Sequence, residues 1–174
     1  TTKALSDWLP REQSIIRCMP NTPALIRQGI TGLYANEYST PEQKENTEQL
    51  LGSVGTTLWV TEENKLDVIT AISGSGPAYF FYLMEQMVIA GIELGITENE
   101  ALELTLQTAL GAARLASRKQ QDTPKSLREK VTSPGGTTQS ALQTFKDHGI
   151  DESFRLGIKN AFFRSKELSQ EFGN

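Results

Sequence analysis

The chain has 174 residues, with 17 Lys+Arg against 21 Asp+Glu for a net charge of −4, one His and one Cys. That balance suits a folded globular chain and offers no basic face to nucleic acid. Cys18 alone excludes a disulfide framework or a thiolate cluster, and His148 alone excludes a two-His metal site. No apolar run reaches the roughly 18 residues of a membrane span. The opening Thr1-Thr2-Lys3 has neither an initiator Met nor a signal-peptide pattern, and reads as the start of a piece of something longer.

The first third reads as mixed α/β. Residues 14–19 are a short apolar run, stopped by Pro20 and the turn-rich Asn21-Thr22-Pro23. Residues 23–28 suit one or two helical turns closed by Gly29, and residues 30–35 are β-prone again. Thr40-Pro41-Glu42-Gln43 opens a helix running to about Gly52: Thr40 caps it, Pro41 takes the first position, and Gln43 reaches back to the cap. Residues 56–60 make a third strand. Three short strands expose their edges and cannot bury two faces, so they imply an α/β sheet whose earlier strands lie outside this sequence.

From residue 64 onward the pattern is helical. Leu66, Ile69 and Ile72 recur at helical spacing, after which Ser73-Gly74-Ser75-Gly76-Pro77 is expected to break the chain. Pro77 then suits the first position of a helix to about Leu94 that is apolar nearly all round, which predicts burial on several sides, with Gly95 closing it. Thr97-Glu98-Asn99-Glu100 is a capping box. Its helix, to about Lys119, is rich in small residues (Ala109, Gly111, Ala112, Ala113, Ala116) that let helices approach closely. Thr123 caps a short helix over 124–130, and another over 138–148 ends at Gly149. Asp151 is expected to cap a last helix with apolar residues at 154, 158, 161, 162, 168 and 172, interrupted by Ser165.

Three segments can carry chemistry. In Val131-Thr132-Ser133-Pro134-Gly135-Gly136-Thr137-Thr138 a Gly-Gly turn enters a helix. The N–H groups of Gly136, Thr137 and Thr138 would be unpaired donors aimed at one point, a ready anion site reinforced by the helix dipole and suited to a small carboxylate. The plain alternative is a tight turn capped by Thr137. Ser73-Gly74-Ser75-Gly76-Pro77-Ala78-Tyr79 is either a loop facing phosphate or substrate, or a joint where two helices cross. It lacks the dinucleotide fingerprint, having no leading strand and the wrong glycine spacing. Met19-Pro20-Asn21-Thr22-Pro23 follows a strand, where open α/β sheets place ligands, or is a rigid turn with Asn21 bonding backbone. His148 belongs at a helix C-terminus against the dipole, and Cys18 is a small strand hydrophobe. Glu85, in an apolar helix stretch, is either partnered and buried or marks a solvent-facing stripe, and Arg155, Lys159 and Lys166 read as a solvated face.

Together these stretches resemble the pyrroline-5-carboxylate reductase family. Residues 16–25 look like its loop after a late strand of the dinucleotide-binding domain, Ser73-Gly74-Ser75-Gly76-Pro77-Ala78-Tyr79 like its domain-entry motif, and residues 127–145 like its signature. The resemblance implies a mainly α chain. Residues 1–63 would be the tail of an α/β Rossmann-type domain with about three strands, and residues 64–174 an all-helical dimerisation and substrate-binding domain. Roughly the first hundred residues of the enzyme, with its Gly-rich cofactor loop, would be missing, so this piece alone is expected to be inactive. The implied reaction is hydride transfer from NADPH, or less commonly NADH, to 1-pyrroline-5-carboxylate, giving L-proline in the cytoplasm. Substrate would be bound by Val131, Ser133, Gly135, Gly136, Thr137 and Thr138, with the Thr138 hydroxyl on the ring nitrogen as the catalytic contact. Met19, Pro20, Asn21, Thr22 and Ser75 would line the cofactor. The family's Glu before the signature proline has no match here, where Gln121 and Asp122 precede Pro124. A homodimer, and a ring of dimers, are implied, with no metal, nucleic acid or membrane.

Two other classes remain. A different dehydrogenase with a helical second domain would place a Lys or His beside the Gly-Gly-Thr-Thr turn, and none is there. A non-catalytic dimerisation module would associate without binding cofactor.

Overall fold

The structure, a computed structural model, describes residues 1–9, 12–118 and 122–171. The expected helix end at Lys119, Gln121 and the apolar position Phe172 lie outside the described residues. The chain is mainly helical with one three-stranded sheet among the described residues. It divides into two compact units, one of Thr1–Ala78 with Arg155–Asn174, the other Tyr79–Phe154.

The first unit is built on its sheet, in the order β1-β2-β3. β1 (Ile16–Met19) runs antiparallel to β2 (Gly29–Ala35), with Met19 opposite Gly32. β2 and β3 (Gly55–Trp59) are parallel, joined through α2 (Pro41–Gly52). A parallel pair needs such a crossover, so the β2–α2–β3 unit is the α/β element that the strand–helix alternation predicts. Thr40 and Gln43 make the reciprocal cap of α2. Along β2 the side chains alternate, and Thr31 and Leu33 on one face are almost fully buried. On the other face a Cβ at Gly32 would lie 2.5 Å from Ile69 Cδ1, so only glycine admits α3 (Lys65–Ile69) this close to the strand.

The two ends of β2 are fastened by asparagine side chains. Asn21 Oδ1 accepts from Ile30 N–H at 2.9 Å. At the far end Asn36, buried, accepts from Ile15 N–H at 3.0 Å and Ser39 Oγ at 2.9 Å, and donates to Gln13 C=O at 2.8 Å. A further helix, α1 (Thr2–Trp8), has no counterpart in the predicted elements. At seven residues it is too short to be stable alone, and a distant carboxylate holds it. Glu63 accepts from Thr2 N–H at 2.6 Å, from Thr2 Oγ1 at 2.7 Å and from Arg17 Nη1 at 2.5 Å. Ser165, on α8 (Ile150–Glu171), donates to Asp67 at 2.7 Å and ties that helix to α3.

The expected break at 73–77 narrows to a bend at Ser75, which separates a π-helical turn from the next helix. Residues Thr70–Gly74 form that turn between α3 and α4 (Gly76–Glu93), with Ser75 N–H bonded to Thr70 C=O at 2.8 Å. Glycine and serine shrink the interruption to one residue, beside the buried Ala71 and the Met19 side chain that lies against Gly74.

The second unit holds the rest of α4 with α5 (Glu98–Arg118), α6 (Pro124–Lys130) and α7 (Thr137–Asp147). Gly95, at φ +101°, turns the chain after α4, and Thr97 with Glu100 forms the predicted capping box. A Cβ at Gly91 would lie 2.9 Å from Ala101 Cβ, so α4 and α5 meet closely there. Tyr79 and Phe154 meet edge to face at 5.8 Å. The expected burial of the start of α4 on several sides is not met within this chain, where Phe80, Phe81 and Tyr82 are 62–64% exposed, because the unit's own helices leave that face uncovered. The last helix begins at Ile150, one residue before the expected cap, so Asp151 sits inside its first turn and favours it through the dipole.

Replacing Asn36 by Ala strands the buried Ile15 N–H, and the denaturant midpoint is expected to record a loss of about 1–3 kcal/mol. Glu63 supplies a pH-dependent counterpart. Burial pushes its carboxyl up, but the hydrogen bonds from Thr2 and Arg17 and the Arg17 charge outweigh burial and hold it below its ordinary value of 4.5. A carboxylate with a lowered folded pKa contributes stability above its unfolded value and loses it as pH falls through the folded one. Urea midpoints of wild type and Glu63→Gln are therefore expected to differ fully at neutral pH and to converge as pH drops below about 4.5.

Candidate functional site

The Gly-Gly turn is a set of backbone donors with their accounts nearly closed. Thr132 ends the segment after α6, its hydroxyl donating to Arg128 C=O at 2.6 Å. Ser133 to Gly136 then make a tight turn with Pro134 and Gly135 at its corners, and Gly136 N–H donates to Ser133 C=O at 3.0 Å. Gly135 sits at φ +73°, the left-handed value that a type II turn demands at this corner. Gly136 is the N-cap of α7, with no side-chain cap bond, so the predicted Thr137 cap is corrected by one residue.

Gly136, expected among the open donors, is not one of them. Gly136 N–H is consumed by the turn and Gly135 N–H by the Gln139 side chain at 2.5 Å. The backbone N–H groups of Thr137 and Thr138 take no acceptor among the described residues. With Gln139 N–H, likewise without an acceptor, they stand at the positive end of an 11-residue helix. The side chain of Thr138 is half-buried, while Val131, Ser133, Gly135 and Thr137 are exposed. Asp122, which precedes the segment, is paired with Lys130 at 2.5 Å.

Within the first unit, Met19 ends β1 and Pro20, Asn21 and Thr22 follow it into a short 3-10 turn over Thr22–Ile26. Asn21 is half-buried and its carbonyl oxygen is spent on Ile30 N–H, the backbone-bonding role of the plainer reading. The Met19 side chain reaches the π turn: a Cβ at Gly74 would lie 2.6 Å from Met19 Cε. Ser75, half-buried, is the next residue, so the structure brings Met19 and the 73–77 segment together as the spacing alone could not. A cleft of about 320 Å³ opens beside them, lined by Arg17, Cys18, Met19, Asp67, Thr70 and Ser165 among others. Cys18 lies in β1 as expected, but its side chain is exposed.

Gln139 was missed by sequence reasoning. The available signal was its place three residues after the N-cap, where Gln reaches back in a capping box. His148 bonds Thr144 C=O through Nδ1 at 2.9 Å at the C-terminus of α7, as its position predicts. Glu85, Arg155, Lys159 and Lys166 are exposed. Among the described residues no group of three His, Cys, Asp or Glu could hold a metal, and no helix is long and apolar enough to cross a membrane.

Comparison with known proteins gives a consistent result. The family model for pyrroline-5-carboxylate reductase dimerisation matches residues 63–168. A pyrroline-5-carboxylate reductase of Pseudomonas aeruginosa is 47% identical over 170 residues, covering 98% of this chain and 62% of that protein. One from Haemophilus influenzae is 40% identical, covering 99% of this chain and 64% of its own length. Among solved structures, a pyrroline-5-carboxylate reductase from Coxiella burnetii matches with a TM-score of 0.91 at 43% identity, covering 97% of this chain and 62% of that one. The Plasmodium falciparum pyrroline carboxylate reductase with NADP bound matches with a TM-score of 0.87 at 27% identity, covering 94% and 62%. The chain thus spans a little over 60% of the length of these relatives.

Proposed function

The chain belongs to the pyrroline-5-carboxylate reductase dimerisation family, and from that premise we propose that the protein carrying it reduces 1-pyrroline-5-carboxylate to L-proline with NADPH, NADH being the alternative donor. The observation that carries the reading is the pair of open donors on Thr137 and Thr138 at the start of α7. They suit the carboxylate of a small anionic imine, and the dipole behind them adds to the attraction. Gly135 and Gly136 keep side chains out of the approach, and Val131 and Ser133 border it.

The Thr138 hydroxyl is assigned the ring nitrogen. As an acceptor it favours the protonated imine, whose carbon is the better electrophile, and no covalent intermediate is needed. The nicotinamide cofactor supplies the hydride when bound. The donor chemistry at Met19, Pro20, Asn21, Thr22 and Ser75 fits that group. The Asn21 amide nitrogen remains a donor after its oxygen is spent on β2, Met19 gives an apolar wall, and Ser75 adds a hydroxyl. What these side chains contribute is orientation and exclusion of water.

In the same reading residues 1–63 are the tail of the dinucleotide-binding domain and residues 64–174 the helical domain. A second copy of the chain would cover the exposed Phe80, Phe81 and Tyr82 and the small-residue face of α5, where a Cβ at Gly111 would meet nothing. A ring of dimers, a cytoplasmic location, and the absence of nucleic-acid and membrane partners complete the proposal. In the full protein that carries this sequence, Thr138→Ala is expected to lower kcat/KM for pyrroline-5-carboxylate by about 10–100-fold, the worth of one hydrogen bond to a charged group. Steady-state kinetics check it, and an unchanged rate removes the role given to Thr138.

A further inference from the structure

We infer that Gln139 is a positioning residue: by holding Gly135 N–H it keeps the Ser133 to Gly136 turn in its type II state and keeps a backbone carbonyl away from the open donors of α7. The inference rests on the substrate site given above and extends it to a residue outside the 131–138 segment.

Type I and type II turns share the bond from the fourth residue's N–H to the first residue's C=O. They differ in the direction of the peptide between the two corner residues. Here that peptide joins Pro134 to Gly135. The shared bond, Gly136 N–H to Ser133 C=O, is present at 3.0 Å and would survive a flip. It therefore cannot select the state. Gly135 at φ +73° shows the type II state, and glycine alone adopts it without strain, but glycine also adopts the other state freely. The remaining constraint on the central peptide is the bond from Gly135 N–H to Gln139 Oε1 at 2.5 Å.

Gln139 stands on the first turn of α7, so its oxygen draws the Gly135 N–H to the helix side and leaves Pro134 C=O turned the other way. A flip would exchange them. The Pro134 oxygen would then come to the side of Thr137 N–H and Thr138 N–H, which take no acceptor among the described residues, and compete there with a carboxylate. Gln139 is also neutral, so it satisfies the turn without adding a second negative charge to an anion site.

The test uses the full protein with Gln139→Leu, which keeps bulk and removes the acceptor. Hydrogen exchange at the Gly135 amide is expected to accelerate several-fold, and Gln139→Glu, which restores an oxygen at the same reach, to slow it again. KM for pyrroline-5-carboxylate is expected to rise about 5–10-fold in Gln139→Leu, with kcat within about twofold and KM for NADPH unchanged. A purely structural role would instead lower Tm and kcat and leave KM for the imine in place, which overturns the inference. Unchanged Gly135 exchange overturns it as well. If the wild-type protein fails to turn over pyrroline-5-carboxylate, the functional reading falls while the exchange measurement still decides whether Gln139 holds the turn.

Discussion

β2 has a neighbour on each side, and a strand so placed has to find a partner for every buried N–H and C=O it carries. The rest of the first unit follows from that requirement. β1 supplies one ladder and β3 the other, and the two asparagines complete the ends where the ladders run out. Gly29 N–H, at the first residue of the strand, goes to Val54 C=O at 3.1 Å just before β3. Because β2 passes β3 so closely that a Cβ at Gly55 would sit 2.0 Å from Gly29 C=O, the parallel pair has no room for a side chain at its entrance. The loop after β1 inherits its place from the same requirement, since Asn21 cannot fasten β2 without fixing the path of Met19, Pro20 and Thr22.

The second unit's turn obeys the same bookkeeping on a smaller scale. A helix start leaves its first N–H groups without partners, and a chain can spend them internally or leave them for a guest. At the start of α2, Thr40 and Gln43 spend them, and Thr97 with Glu100 does so for α5. At α7 the N-cap is a glycine with nothing to offer, and the Gln side chain that would close a capping box reaches one residue further back instead. The difference between a capped helix and a receptive one is thus a matter of which residue occupies one position.

These contrasts set what the sequence could reveal. All three strands, the cap of α2, the capping box of α5 and the Gly-Gly turn were legible because each is specified by neighbours within a few residues. The motifs at 16–25, 73–79 and 127–145 were legible for the same reason. The features that escaped depend on distant partners. α1 is held by Glu63, and its own seven residues say little. Ser73-Gly74-Ser75-Gly76-Pro77 reads locally as a break, and the structure confines it to a bend at Ser75 after a π turn that local sequence does not reveal. Asn36 looks like a turn residue until Gln13, Ile15 and Ser39 are placed around it. The apolar start of α4 was expected to be buried on several sides, and within this chain its Phe80, Phe81 and Tyr82 stay exposed.

The bonds of the Gly-Gly turn also differ from those of the sheet in the length of chain they close. Gln139 reaches Gly135 across four residues, whereas Arg17 meets Glu63 across 46 and Ser165 meets Asp67 across 98. By the logarithmic law of loop closure, the longest of these asks about 3 kcal/mol more chain entropy than the shortest. The turn at the head of α7 can therefore order itself on the timescale of a helix, from its own residues, before the long-range links that assemble the first unit have closed. That turn is among the earliest things the chain can make.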